Sequence, residues 1–310
     1  GDYSIDYVQN ALPKLFDAIL VQTRLFNLDS SFFRPDHWVA MAEEISCSYD
    51  EYDGFVLVHG TDSMAYTACA LSFFLKNLGK PVVLTGSQLP LIAKRSDAFG
   101  NLVSAVEVAL YSGCNEVVVQ FANTVYRGNR VKKKDAWDFD AFYSPNYRNL
   151  AKLGITMERF VERYLPMPQK PFSLDTRHDP AVHLAPIFPG YDYITLTSAV
   201  ESGRIRGLVI EAYGSGNVPS DDPGLARLFA AAAERAIPII VCSQSPIGKV
   251  DLGLYKAASD AAYYGLVSAV DMTREATIVK LMAALGRSQK IEEIKAFMQT
   301  PIAGEMESGG

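Results

Sequence analysis

Cysteine is scarce in this 310-residue chain: Cys47, Cys69, Cys114 and Cys242 are scattered, with no CxxC pair and no histidine at metal-ligand spacing. A disulfide framework and a thiolate zinc site are thereby excluded, and because three of the four lie within apolar runs, buried free thiols and a reducing compartment are the expectation. Histidine is equally thin, with His37, His59, His178 and His183 far apart. No apolar run approaches the ~20 residues of a membrane span. The opening "GDYSIDYVQNALPKL" has neither a basic leader nor a signal-like apolar core. A cytoplasmic protein with no membrane partner is expected. Positive charge is also short, with 29 Lys and Arg against 35 Asp and Glu for a net charge of −6, and the one concentrated basic stretch is 127–134. Nucleic acid is not an expected partner.

What is present is a globular composition, 49% apolar and 21% charged, in a chain long enough for one large domain or two ordinary ones. Short apolar runs alternate with amphipathic ones. "GFVLVHG", "PVVLTGS" and "EVVVQFA" read as buried strands. Helices are predicted between them at about 63–78, with Gly79 as its C-cap, and at 97–111. Strands apolar on both faces and separated by helices indicate a parallel sheet covered on each side. Proline-rich, aperiodic sequence interrupts the pattern near 165–182, read as a linker. The alternation resumes with "LAPIFPG", a helix near 193–202, "GLVIEAYG", a helix near 223–235, "IPIIVCSQ", and helices near 254–264 and 273–285. The predicted architecture is two doubly wound α/β domains with mainly parallel sheets, 1–164 and 183–310. The closing "GEMESGG" reads as a frayed tail.

Ligands of open parallel sheets bind beyond the carboxyl ends of the strands, where loops lead into helix N-termini. Gly60, Thr61 and Asp62 stand at such a place. Helix capping by Asp62 or Ser63 is the competing reading, since either side chain can accept from the first free amides. "LTGSQLP" repeats the arrangement one strand later, and "NLDSS" offers adjacent hydroxyls at Ser30 and Ser31. Both are also ordinary loop chemistry. "YRGNRVKKKDAWDFDAF" carries the basic run, whose lysines read mostly as solvated surface. One lysine held beside Thr61 and Asp62 can serve as a base. Gly214 and Gly216 do not form a dinucleotide fingerprint, because Pro219 stands at the third glycine position.

Taken together, "HGTDSMAYTACALSFFLKNLGKPVVLTGSQLPL", "RSD", "NEVVV", "YRGNR", "FDAF", "SPN", "YGSGN" and "DMTREAT" resemble the type I, cytoplasmic L-asparaginases. The resemblance implies a larger N-terminal and a smaller C-terminal α/β domain, assembled as homodimers or homotetramers. It implies hydrolysis of L-asparagine to L-aspartate and ammonia, without metal or cofactor. Carried onto matching positions, it makes Thr61 a catalytic hydroxyl and Lys133 the catalytic lysine. Asp62 becomes the counter-charge for the substrate's α-ammonium, with Ser30, Ser31 and Gly60 among the substrate-binding residues.

The chemistry suits these types, because a threonine hydroxyl attacks an amide carbon only once a base takes its proton. A zwitterionic substrate also needs a carboxylate at one end and donors at the other. The family's first catalytic threonine lies in a Thr-Gly-Gly-Thr motif, and this sequence contains no Thr-Gly-Gly triplet. Three readings stay open: a fragment of a longer enzyme, which is the favoured one, a homologue that binds without turnover, or takeover of the nucleophile role by Thr61 or another hydroxyl. Glu211 stands where some type I members carry the arginine of an effector site, so that site is not expected here. Phe32 and Phe33 replace an Asp-Met pair common in relatives, at the edge of the expected pocket.

Overall fold

The computed structural model describes residues 18–253 and 264–307. They divide into two compact units, one from 18–144 and 148–174, the other from 145–147, 175–253 and 264–307. The fold is α/β in both, and the main sheet of each contains a run of parallel strands.

In the first unit, β1 (Phe55–Val58), β3 (Val82–Thr85) and β4 (Val117–Phe121) run parallel. Val82, Val83 and Leu84 are consecutive and fully buried. Neighbouring strand residues point to opposite faces, so both faces are covered. Helix α1 (Pro35–Cys47) packs on α2 (Met64–Phe74), and α3 (Ala98–Tyr111) packs on β1, β3 and β4. Ten of the eleven α2 residues are buried, which suits a helix apolar all round.

The sequence predicts α2 to run to 78 with Gly79 as cap, but it stops at Phe74. Strand β2 (Leu75–Lys76) instead pairs antiparallel with β10 (Ser173–Leu174), inside the stretch read as linker. Asn77 takes the left-handed conformation (φ 57°), and the Gly79 amide donates to the Tyr49 hydroxyl at 2.7 Å. Beyond β4 the sheet turns antiparallel through β5 (Thr124–Arg127), β8 (Ala151–Leu153) and β9 (Met157–Arg159). A small hairpin of β6 (Lys132–Lys133) and β7 (Phe142–Tyr143) stands apart from it.

In the second unit, β11 (Val182–Pro186), β12 (Gly207–Ala212), β13 (Ile239–Ser243) and β14 (Val267–Ser268) form a wholly parallel sheet. The predicted helices appear as α4 (Tyr193–Glu201), α5 (Pro223–Glu234) and α6 (Arg274–Arg287). Asp192, Asp222 and Thr273 cap them by accepting from first-turn amides. The helix predicted near 254–264 lies almost wholly outside the described residues. Gly214 and Gly216 (φ 48° and 112°) make a tight turn closed by the Tyr213–Asn217 bridge. A further helix, α7 (Ile291–Gln299), follows.

Within the segment read as a frayed tail, the described residues 304–307 are instead anchored. Glu305 is fully buried and pairs with Lys280, and Met306 is 4% exposed. The Lys280 ammonium also donates to the Met298 and Thr300 carbonyls, so a buried charge ties Glu305 to the two helices α6 and α7.

Candidate functional site

The site grows from the carboxyl end of the parallel strands in the first unit. The ladder runs one residue past β1, with the His59 amide donating to the Thr85 carbonyl at 2.8 Å. A side chain at Gly86 would meet the His59 carbonyl oxygen at 2.1 Å, so only glycine lets the two strand ends approach this closely. His59 is buried and makes two bonds, its Nδ1 to the Gly60 carbonyl at 2.6 Å and its Nε2 to the Thr67 hydroxyl at 2.9 Å. Burial pushes its imidazole down to about 4, so the ring is neutral at pH 7. A neutral ring has one donor. Nδ1–H therefore goes to the carbonyl, and Nε2 accepts from Thr67. That pair holds the Gly60 peptide still, just before Thr61.

Lys133 arrives from the β6–β7 hairpin, which pairs Lys133 with Phe142. The Tyr126 hydroxyl of β5 anchors the hairpin by donating to the Phe142 carbonyl at 3.0 Å. The Lys133 ammonium donates to Thr61 Oγ1 at 2.8 Å and to Asp62 Oδ1 at 2.7 Å. Residues separated by more than seventy positions thus meet at one oxygen. The capping alternative for this loop fails. Ser63 is the N-cap of α2 yet makes no side-chain cap, and its hydroxyl donates to the Ser30 carbonyl at 2.6 Å. The Asp62 carboxylate faces Lys133 with its side chain 62% exposed. Of the three lysines expected to be mostly solvated, only Lys134 is exposed. Lys132 and Lys133 are half-buried, and Arg127 and Arg130 are buried.

Ser30 lies buried in a short turn (Ser30–Phe32) against Gly60, where an added Cβ would meet Ser30 Oγ at 2.5 Å. The structure thus brings Ser30, Gly60, Thr61, Asp62 and Lys133 into one neighbourhood. Ser31 differs: it is exposed, and its amide (2.8 Å) and hydroxyl both turn to the Asp29 carboxylate. Those bonds hold the Asp29 carboxyl below its usual range. The arrangement offers a hydroxyl touched by an amine, a carboxylate with an open oxygen beside it, and a serine turn, the functional groups that acyl transfer on a zwitterion requires.

Gln88 was missed by sequence reasoning. Thr61 Oγ1 donates to its Oε1 at 3.2 Å, and its Nε2 donates to the Asp138 carbonyl at 3.0 Å. Asp97 accepts from the Gln88 and Leu89 amides at 3.0–3.1 Å, and Asn101 donates to the Gly86 carbonyl at 2.9 Å. The first turn of α3 therefore shapes the loop that carries Gln88. "LTGSQLP" stood out for its small polar residues, but nothing in the spacing pairs Gln88 with Thr61 across 27 positions.

Comparison with known proteins follows the same lines. Residues 2–163 match the family described as "Asparaginase, N-terminal", and residues 181–298 match "Glutaminase/Asparaginase C-terminal domain". The chain belongs to the asparaginase family. Among its relatives, L-asparaginase 1 of Escherichia coli K12 is 39% identical over 279 residues, covering 90% of this chain and 82% of that one. The thermostable L-asparaginase from Thermococcus kodakarensis superposes with a TM-score of 0.90 at 35% identity, covering 99% and 92% of the two chains. L-asparaginase I from Vibrio cholerae superposes with a TM-score of 0.84 at 38% identity, covering 90% and 84%. The whole Thr61–Asp62–Lys133–Gln88 neighbourhood lies within the stretch matched by the asparaginase N-terminal family. Among the described residues, no helix is long and apolar enough to cross a membrane.

Proposed function

We propose that this chain is an L-asparagine amidohydrolase, releasing L-aspartate and ammonia through Thr61, Asp62 and Lys133. One observation carries the reading: the Lys133 amine lies 2.8 Å from Thr61 Oγ1 and 2.7 Å from Asp62, in a chain related to L-asparaginases. Lys133, as the free amine, takes the Thr61 hydroxyl proton while Oγ1 bonds the side-chain amide carbon. The C–N bond breaks, and the nitrogen leaves with that proton as ammonia. Water then attacks the resulting ester, and its proton passes through Lys133 to Thr61 Oγ1. The Asp62 oxygen not engaged by Lys133 binds the substrate's α-ammonium. Ser30, Gly60 and Ser31 receive the α-carboxylate, with Ser31 exchanging Asp29 for substrate. The reading uses no metal or cofactor, and it extends to a homodimer or homotetramer in the cytoplasm.

Ammonia release from L-asparagine and L-glutamine, by the parent and by Thr61→Ala, tests the reaction. Calorimetry with L-aspartate, on the parent and on Asp62→Ala, tests the site. Release by the parent that Thr61→Ala abolishes is the expected outcome. Undiminished release by Thr61→Ala overturns the role of Thr61, and undiminished aspartate binding by Asp62→Ala overturns the ammonium site. The open Asp62 carboxylate beside the Ser30 turn also suits a second reading, a binding protein that holds aspartate without turnover. Its signature is tight aspartate binding by a parent that releases no ammonia.

A further inference from the structure

We infer that Gln88 is a positioning residue that fixes the rotamer and hydrogen-bond polarity of Thr61, resting on the amidohydrolase reading above. The argument turns on which end of the Gln88 amide faces Thr61. Its Nε2 side faces two backbone carbonyls on the β6–β7 loop, Asp138 at 3.0 Å and Asp135 at 3.5 Å. Carbonyl oxygens only accept, so the NH₂ must lie on that side and Oε1 must face Thr61. Oε1 only accepts too, so the Thr61 hydroxyl donates to it, at 3.2 Å. Thr61 Oγ1 is then left with lone pairs toward Lys133, which fills one from 2.8 Å.

A single chain of bonds thus runs from Lys133 through Thr61 and Gln88 to the loop carbonyls, with every donor pointing the same way. Two consequences follow. Thr61 is held from both sides, by a helix-borne loop at Gln88 and by a hairpin at Lys133. The hairpin that delivers Lys133 also sets the Gln88 amide, so the base and the hydroxyl share one support. Reaction requires only that the Thr61 O–H swing from Gln88 to the free amine, with the oxygen already in place.

The test compares Gln88→Met, which keeps length and volume but neither polar end, with Gln88→Glu, which keeps an acceptor for Thr61. Three-bond couplings to the ¹³C-labelled Thr61 methyl report its χ1 rotamer whether or not the chain turns over. The Gln88→Met variant is expected to average the Thr61 rotamer and to lose about 100-fold in kcat, with KM changed far less. Gln88→Glu keeps the acceptor but loses the donor to the Asp138 carbonyl, so it is expected to average the Thr61 rotamer as well. A filler role predicts a single rotamer in both variants, so an unaveraged Thr61 in Gln88→Met overturns the inference. Thr61→Ala separates the two claims. If it still releases ammonia while Gln88→Met averages the rotamer, the reaction assigned to Thr61 is wrong and the positioning stands. If it is dead while Gln88→Met leaves rotamer and kcat unchanged, the positioning is wrong and the reaction stands.

Discussion

Lys133→Met is the substitution that separates chemistry from scaffold. The lysine's ammonium makes both contacts that define the cluster, and methionine keeps most of its length without either. The expected structural cost is small. The Lys133–Asp62 pair has side-chain exposures of 23% and 62%, and ion pairs this open to solvent contribute about 0.2–1 kcal/mol. The expected chemical cost is large, since a positioned general base contributes about 10²–10⁴-fold to a rate, equivalent to ~3–5 kcal/mol of barrier. The two effects therefore differ by several kcal/mol and are read by different instruments. Urea unfolding reports the first and coupled-enzyme detection of ammonia the second. Lys133→Arg sharpens the result, because a guanidinium keeps the charge beside Asp62 yet does not deprotonate in proteins. Both variants are expected to fold like the parent and to lose activity together. An arginine variant as active as the parent, or a methionine variant whose lost activity tracks lost stability, refutes Lys133 as the base.

Three further outcomes follow from the structure. His59 sits near 4, below its ordinary ~6.5, because its charged form is desolvated. Its contribution is complete above pH 6.5 and drains as pH falls toward 4, by about 3 kcal/mol. His59→Gln should flatten that part of the urea-stability profile, and identical pH slopes in parent and variant would count against the buried neutral ring. Glu305→Ala strands the Lys280 ammonium in a fully buried pocket and should cost about 3–5 kcal/mol, whereas Lys280→Met with Glu305→Leu should cost far less. Equal losses in the single and double variants, measured by denaturation, would refute the latch. Iodoacetamide should label Cys47 alone in the folded chain, since it is exposed while burial pushes the Cys114 thiol up to about 11. Mass spectrometry showing native labelling at Cys69, Cys114 or Cys242 would contradict the burial.

Legibility in the sequence followed how locally each feature is determined. Buried parallel strands were readable because "VVL" and "VVV" must be covered on both faces, and the helices of the second unit because Asp192, Asp222 and Thr273 announce their own starts. The antiparallel half of the first sheet was not readable. Its β4–β5 turn is Ala122–Asn123, with Ala122 at φ 48°, where the usual hairpin signal is Asn-Gly. Helix α1 was hidden behind Pro35, and α2 was cut short by a partner strand about a hundred positions away.

The site divides in the same way. Thr61 and Asp62 declare themselves as polar residues at the end of an apolar strand, while Lys133 was reached only through its place between "YRGNR" and "FDAF". Gln88 was invisible because its role is a matter of which end of an amide faces a hydroxyl. That orientation is imposed by two carbonyls on another loop, and no periodicity records it. A residue that acts by selecting among hydrogen-bond directions leaves its trace only where the acceptors are already in place. In this fold the β6–β7 hairpin supplies them, together with the lysine.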